Sequence, residues 1–140
     1  MLYFSYGSNL HKEQMNERCP DSFHIKKLII QDFKLLYRNG VATIEFKKES
    51  TVAGAIYGIS ESDELALDRY EGFPKYYTKK FFKYRGELIM FYTLPSYKAK
   101  ISMPSMRYFN TIEQGYKDWG LPLVNLYDSL LYTKKLLKNT

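Results

Sequence analysis

The chain has 140 residues, 45% hydrophobic and 26% charged, with a formal net charge of +6, which is enough for a core of its own and predicts one domain over residues 1–140. The positive surplus sits in scattered pairs, Lys26-Lys27, Lys47-Lys48, Lys79-Lys80 and Lys134-Lys135, and reads as a solvated surface; no basic block argues for a nucleic-acid partner. A single Cys19 excludes an internal disulfide, no apolar run approaches the ~20 residues of a membrane helix, and no signal peptide precedes Tyr3, so a cytoplasmic protein without a membrane partner is expected.

In chain order, residues 2–6 read as a short strand running into Gly7-Ser8-Asn9 and a short helix over 10–18 that ends before Cys19-Pro20. Gly7 allows a tight turn, and Ser8 and Asn9 are good N-cap residues. Such a loop presents unpartnered backbone N–H groups at a positive helix end, which suits a carboxylate or an oxyanion. Segments 24–30, 33–38 and 41–47 look like strands separated by polar or Asn39-Gly40 turns, and 52–59 is the best strand candidate, its Gly54 and Gly58 suggesting close backbone approach. Ser60 or Ser62 caps a helix from about 61 to 70 that stops at Gly72, and strands follow at 77–85 and 87–94 around Arg85-Gly86. After Pro104-Ser105, Phe109, Ile112, Tyr116 and Trp119 recur at helical spacing until Gly120, and Pro122 opens a last helix carrying Leu123, Leu126, Leu130 and Leu137. Strands and helices do not alternate regularly, so the pattern predicts an α+β fold with a curled, mostly antiparallel sheet.

Fourteen Tyr and nine Phe permit a pocket walled by hydrogen-bonding rings. His11, Cys19 and His24 are the whole soft-ligand inventory; their spacing fits no metal pattern, and nothing near Cys19 and His24 marks a nucleophile with an oriented base. No phosphate loop or dinucleotide fingerprint is present. A carboxylate remains. Glu71 closes the predicted helix before Gly72, facing the negative end of the helix dipole, with Tyr70, Phe73, Tyr76 and Tyr77 beside it in sequence. Dipole and desolvation both push its pKa upward, toward the range a proton shuttle needs.

Four blocks then coincide. Tyr6-Gly7-Ser8-Asn9-Leu10, Gly40-Val41-Ala42-Thr43-Ile44, Leu67-Asp68-Arg69-Tyr70-Glu71-Gly72, and Pro104-Ser105-Met106-Arg107-Tyr108 with Gly115 and Trp119-Gly120-Leu121-Pro122 resemble the γ-glutamylcyclotransferase family, in the family's order and over about residues 2–126. The resemblance implies a barrel-like curled sheet flanked by helices, in a compact form like those of bacteria. It implies an enzyme with Glu71 as catalytic base and acid and a substrate pocket built from Tyr6, Gly7, Ser8, Asn9, Leu10, Tyr77 and Tyr108, with Tyr76 as the alternative to Tyr77. The implied substrate is a small γ-glutamyl amide, whose own α-amine attacks its γ-carbonyl to release 5-oxoproline and the free amine. No cofactor or metal is implied, and a homodimer is left open. The other reading of the same residues is a non-catalytic module that binds a γ-glutamyl or other carboxylate ligand. Because the loop would act through its backbone, changes to the Ser8 or Asn9 side chains are expected to matter less than loss of the Glu71 carboxylate.

Overall fold

The computed structural model describes residues 1–139. Its framework is one long hairpin, β2 (Phe23–Arg38) and β3 (Val41–Gly58), turned at Asn39 and Gly40, which both take positive φ (52° and 77°). Two central residues with positive φ match the twist of paired strands, and Asn-Gly adopts that turn readily. The four short strands expected over residues 24–59 are therefore two. The polar residues that read as strand ends are irregularities within one ladder: the register shifts between Gln31 and Phe33, Asp32 and Glu49 take φ of 66° and 71°, and Asp32 Oδ1 accepts the Glu49 N–H at 2.9 Å. A bulge bends a strand without ending it, which is what a curled sheet requires.

Strand β1 (Leu2–Ser5) lies between β3, antiparallel to it, and β5 (Glu87–Thr93), parallel to it; β5 pairs antiparallel with β4 (Thr78–Tyr84). The order β2-β3-β1-β5-β4 is the mostly antiparallel sheet expected. It is curled but open. Lys26 Nζ on one edge strand donates to the Tyr84 hydroxyl on the other at 3.2 Å. Beyond the short β1, β3 meets β5 through the Thr43 and Thr93 hydroxyls, 3.0 Å apart. No backbone ladder joins β2 to β4 among the described residues.

Side chains alternate across β1, so its two faces feed two cores. Phe4 enters the core enclosed by the curl with Ile44, Ile56 and Phe91, closed by Ile112, Tyr116 and Leu126 of helices α3 (Met106–Trp119) and α4 (Leu123–Lys138). Tyr3 enters the other with Tyr57 and Tyr92, covered by Met15 of α1 (Lys12–Arg18) and Leu67 of α2 (Glu61–Glu71). Helix α2 starts on a capping box in which Ser60 and Asp63 satisfy each other's N–H groups, as the Ser60 position predicts. The expected helix over 10–18 is split. A 3-10 turn, Ser8–Leu10, comes first, and α1 is capped by His11, whose Nδ1 accepts the Gln14 N–H at 3.2 Å. Ser8 and Asn9 cap nothing, because the Leu10 amide has already closed on Gly7 O at 3.0 Å.

Candidate active site

The site starts where β1 runs out. Tyr6 leaves the strand with its hydroxyl donated to Tyr92 O at 2.6 Å, which fixes where the loop begins. Gly7 follows, with its α-carbon facing Ala42 and the Tyr108 hydroxyl. Through the 3-10 turn that follows, the backbone N–H groups of Gly7, Ser8 and Asn9 have no acceptor among the described residues. They are the available donors that the sequence pattern predicts.

The loop's side chains are more committed than expected. Asn9 is 2% exposed and tied at both ends of its amide: Nδ2 donates to the Tyr3 hydroxyl at 3.0 Å, and Oδ1 accepts from Arg18. Its carbonyl takes the Tyr57 hydroxyl at 2.8 Å. Ser8 Oγ lies 3.1 Å from the Tyr70 hydroxyl. Asn9 is thus a structural hub whose side chain holds the loop in place. The expectation for Leu10 is corrected. It is 0% exposed and buried under α3, where a Cβ on Gly115 would come within 2.5 Å of Leu10 Cβ. A side chain sealed in the core cannot touch a ligand; its backbone instead anchors the turn, Leu10 O accepting Trp119 Nε1–H at 3.1 Å.

Glu71 arrives from the other side. Helix α2 ends on Gly72 at φ 65°, with the Phe73 N–H returning to Asp68 O at 2.9 Å and the Gly72 N–H to Arg69 O. This left-handed ending favours glycine. It reverses the chain immediately after Glu71 and lets Tyr76 and Tyr77 fold back over it, Tyr77 N donating to Glu71 O at 3.3 Å. Loop and carboxylate meet in one cavity of about 210 Å³ walled by Tyr3, Tyr6, Tyr70, Tyr76, Tyr77, Tyr92 and Tyr108, with Ser5, Val41 and Ala42. Burial among these rings pushes Glu71 up to about 7, opposed by the positive charge of Arg18. The predicted direction holds, with desolvation as the largest cause.

Tyr77 and Tyr108 hold the backbone of Ala42 between them, one on each of its flanking peptide groups. Tyr77 donates its hydroxyl proton to Ala42 O at 2.7 Å, and Tyr108 accepts the Ala42 N–H at 3.0 Å. The Tyr77 proton is spent on the frame, whereas that of Tyr108 stays available to the cavity. Both Tyr76 and Tyr77 line the space: Tyr77 is 6% exposed and structural, and Tyr76, 41% exposed, forms the rim.

Of the eight predicted site residues, seven meet at this cavity, all but Leu10. Sequence reasoning placed Tyr70 beside Glu71 but missed Tyr3, Ser5 and Tyr92 in the wall. Strand alternation was the signal for Tyr3 and Ser5, which share one face of β1. Ser5 stands out: it is 1% exposed, and its Oγ has no hydrogen-bond partner among the described residues. Cys19 and His24 take no part. The Cys19 thiol is buried and pushed up to about 12, chiefly by desolvation. No group of three or more His, Cys, Asp or Glu among the described residues is placed to hold a metal ion. Nor is any helix among them long and apolar enough to cross a membrane.

Comparison with known proteins places the chain in a family and matches its fold. Residues 3–109 match the family model described as "Gamma-glutamyl cyclotransferase, AIG2-like". The chain is 30% identical over 139 residues to a γ-glutamylcyclotransferase of Bos taurus and 31% identical over 139 residues to that of Homo sapiens, covering 87% of this chain and 73% of each relative. A solved structure titled "Gamma-glutamyl cyclotransferase" superposes with a TM-score of 0.79 at 28% identity, over 91% of this chain and 85% of the other.

Proposed function

This chain belongs to the gamma-glutamyl cyclotransferase, AIG2-like family of enzymes, and we propose that its reaction is ring closure of a small γ-glutamyl amide with Glu71 as proton shuttle. One observation carries the reading. The Glu71 carboxylate shares a single tyrosine-walled cavity with the loop whose N–H groups at Gly7, Ser8 and Asn9 are unpartnered.

The substrate brings its own nucleophile. Its α-ammonium and γ-carbonyl are separated by three carbons, and holding them in the ring-closing conformer is worth on the order of 7–11 kcal/mol in well-oriented intramolecular reactions. The Glu71 carboxylate takes a proton from the α-ammonium, and the freed amine adds to the γ-carbonyl carbon. Negative charge then develops on the carbonyl oxygen, where the loop N–H groups and the free Tyr108 proton can donate to it. Protonated Glu71 next delivers its proton to the departing nitrogen as the C–N bond breaks. The α-ammonium sheds two protons on becoming the lactam N–H, and the expelled amine gains two on leaving as an ammonium, so no net proton is consumed. A carboxyl group with a pKa of about 7 can both accept and return a proton at neutral pH.

The test is release of 5-oxoproline from a panel of γ-glutamyl amino acids and γ-glutamyl amines. Glu71→Gln should lower kcat by about 10³-fold, within the range general acid–base groups contribute, while the circular dichroism spectrum stays that of the parent. In the parent, kcat/KM should rise with pH through about 7 as Glu71 ionises. A Gln variant with full turnover would overturn the mechanism.

A further inference from the structure

Arg18 is the last residue of α1 and lies outside the cavity wall, yet it touches both halves of the site. Its guanidinium stacks on the Tyr70 ring, with Cζ 3.3 Å from the ring centroid, and its Nη1 donates to Asn9 Oδ1. Each contact leads inward. Tyr70 precedes Glu71, and its hydroxyl lies 3.1 Å from Ser8 Oγ; Asn9 Nδ2 holds the Tyr3 hydroxyl. A planar, always-charged group that stacks with one face and donates from its edge can fix two segments at once, which an ammonium cannot.

Around Glu71 the other titratable groups are tyrosines: Tyr3 from β1 and Tyr6 just after it, Tyr77 after α2, Tyr92 from β5 and Tyr108 from α3. All are held above their usual values by burial and are neutral at pH 7. Asp68, one turn back on α2, is occupied by the Tyr92 hydroxyl at 2.6 Å and by Lys79 at 2.9 Å, and Lys79 also pairs with Glu64. Arg18 is therefore the cation that acts on the Glu71 carboxylate.

We propose that Arg18 is a positioning residue for this enzyme: it clamps the Asn9 loop against the Tyr70 end of α2, setting the gap between donors and carboxylate. The same guanidinium carries the positive charge that opposes the desolvation of Glu71. The proposal rests on Glu71 being the proton shuttle. It assigns two separable duties, one of geometry and one of charge. Lysine can replace the charge but not the stack; methionine replaces neither.

The experiment measures kcat and KM against pH for the parent, Arg18→Lys and Arg18→Met, using the γ-glutamyl amide that the parent turns over best. Arg18→Met should move the ascending limb of kcat/KM to higher pH. A limb displaced by about half a pH unit lowers kcat/KM at pH 6 by about three-fold, and KM should rise as well. Arg18→Lys should keep the limb where it is and raise KM alone. A Met variant with the parent's limb and the parent's KM overturns the proposal. If Arg18→Met does not fold, as judged by circular dichroism, Tyr70→Leu takes its place: it removes the platform under Arg18 and leaves the charge, so KM should rise with the limb in place, and the parent's KM in that variant overturns the clamp. The midpoint of the Glu71 side-chain carbon, followed by NMR against pH, separates the two readings. A parent that forms no 5-oxoproline overturns the mechanism alone, whereas a midpoint that stays put in Arg18→Met, together with the parent's KM, overturns the role of Arg18.

Discussion

Two openings at the ends of β4 and β5 differ sharply, and the larger of the two has the poorer chemistry. One, of about 620 Å³, lies between the β3 segment at Ile44–Phe46, the start of β4 and the end of β5, and is walled by Phe33, Phe46, Phe91, Pro95 and Tyr97. Its acid, Glu45, is bound by Arg38 at 2.5 Å, and its Lys79 is bound by Glu64 and Asp68. The other, of about 210 Å³, is walled by tyrosines and holds Glu71. The two are next-door neighbours along the chain: Ala42 faces the small one and Ile44 the large one, Tyr77 and Thr78 divide likewise, and so do Tyr92 and Thr93. In the large opening the fold gives Glu45 and Lys79 ion-pair partners. In the small one it spends the hydroxyl protons of Tyr6, Tyr77 and Tyr92 on its own frame and gives the carboxylate no ion-pair partner among the described residues. On the proposed mechanism, reactivity follows the unpaired group, not the volume.

The sharpest way to break that contrast is to neutralise each carboxylate in turn. Glu71→Gln should cost about 10³ in kcat, whereas Glu45→Gln should stay within about two-fold. Their effects on stability should have opposite signs. Glu71 has a folded pKa of about 7, above its unfolded value of roughly 4.3. Between these values the folded state holds the proton more tightly, so stability falls as pH rises through that window and then levels off. Gln cannot ionise. Thermal unfolding should therefore show Glu71→Gln gaining on the parent from pH 5 to pH 7 and melting above it at pH 8. Glu45→Gln instead breaks an ion pair with Arg38 and should melt slightly lower, by up to about 1 kcal/mol. A Glu71→Gln variant no more stable than the parent at pH 8 would contradict the desolvated carboxylate.

A finer comparison lies within the small cavity, where Tyr77 and Tyr108 grip the backbone of the same residue, Ala42, with opposite polarity. Tyr108→Phe removes a proton that can reach the substrate, together with the acceptor of the Ala42 N–H, and should lower kcat by about a hundred-fold, the low side of what an oxyanion donor supplies. Tyr77→Phe leaves Ala42 O without its donor and should act on the fold instead, costing about 1 kcal/mol in urea unfolding with kcat within about three-fold. Equal effects on kcat would show that the frame, not the free proton, is what matters.

These assignments were legible in the sequence to very different degrees. The end of α2 was plain because helix endings are local chemistry: Ser60 at one terminus and Gly72 at the other fix where Glu71 stands, whatever surrounds it. The Gly7-Ser8-Asn9 loop was legible for the same reason, but the direction of Leu10 was not, since that is decided by Gly115, far along the chain, admitting the loop against α3. The long strands were misread because a bulge and a strand end share a signature, polar residues and positive φ; only the partner strand distinguishes Asp32 from a true turn. Arg18 was invisible on the same grounds. A charged residue ending a short helix is ordinary, and its meaning comes from Tyr70 and Asn9 closing on it in space.

The smallest expected effect comes from Ser5, and it decides whether the small cavity is shaped for a ligand beyond its carboxylate. A buried hydroxyl without a partner lowers stability, because it gives up water and gains nothing in return. The large opening offers no parallel: its Thr78 and Thr93 hydroxyls donate to Thr93 O and Ile44 O at 3.1 and 2.9 Å. If the Ser5 Oγ is kept for a substrate atom, Ser5→Ala should leave the melting temperature unchanged or higher while KM rises by about two- to ten-fold, the equivalent of one neutral hydrogen bond, at constant kcat. Phe46→Ala in the large opening, where the ring is 72% exposed, should move neither quantity. A Ser5→Ala enzyme with the parent's KM would mean that the hydroxyl is an unsatisfied group the fold merely tolerates. Substrate recognition would then rest on the loop N–H groups and Glu71.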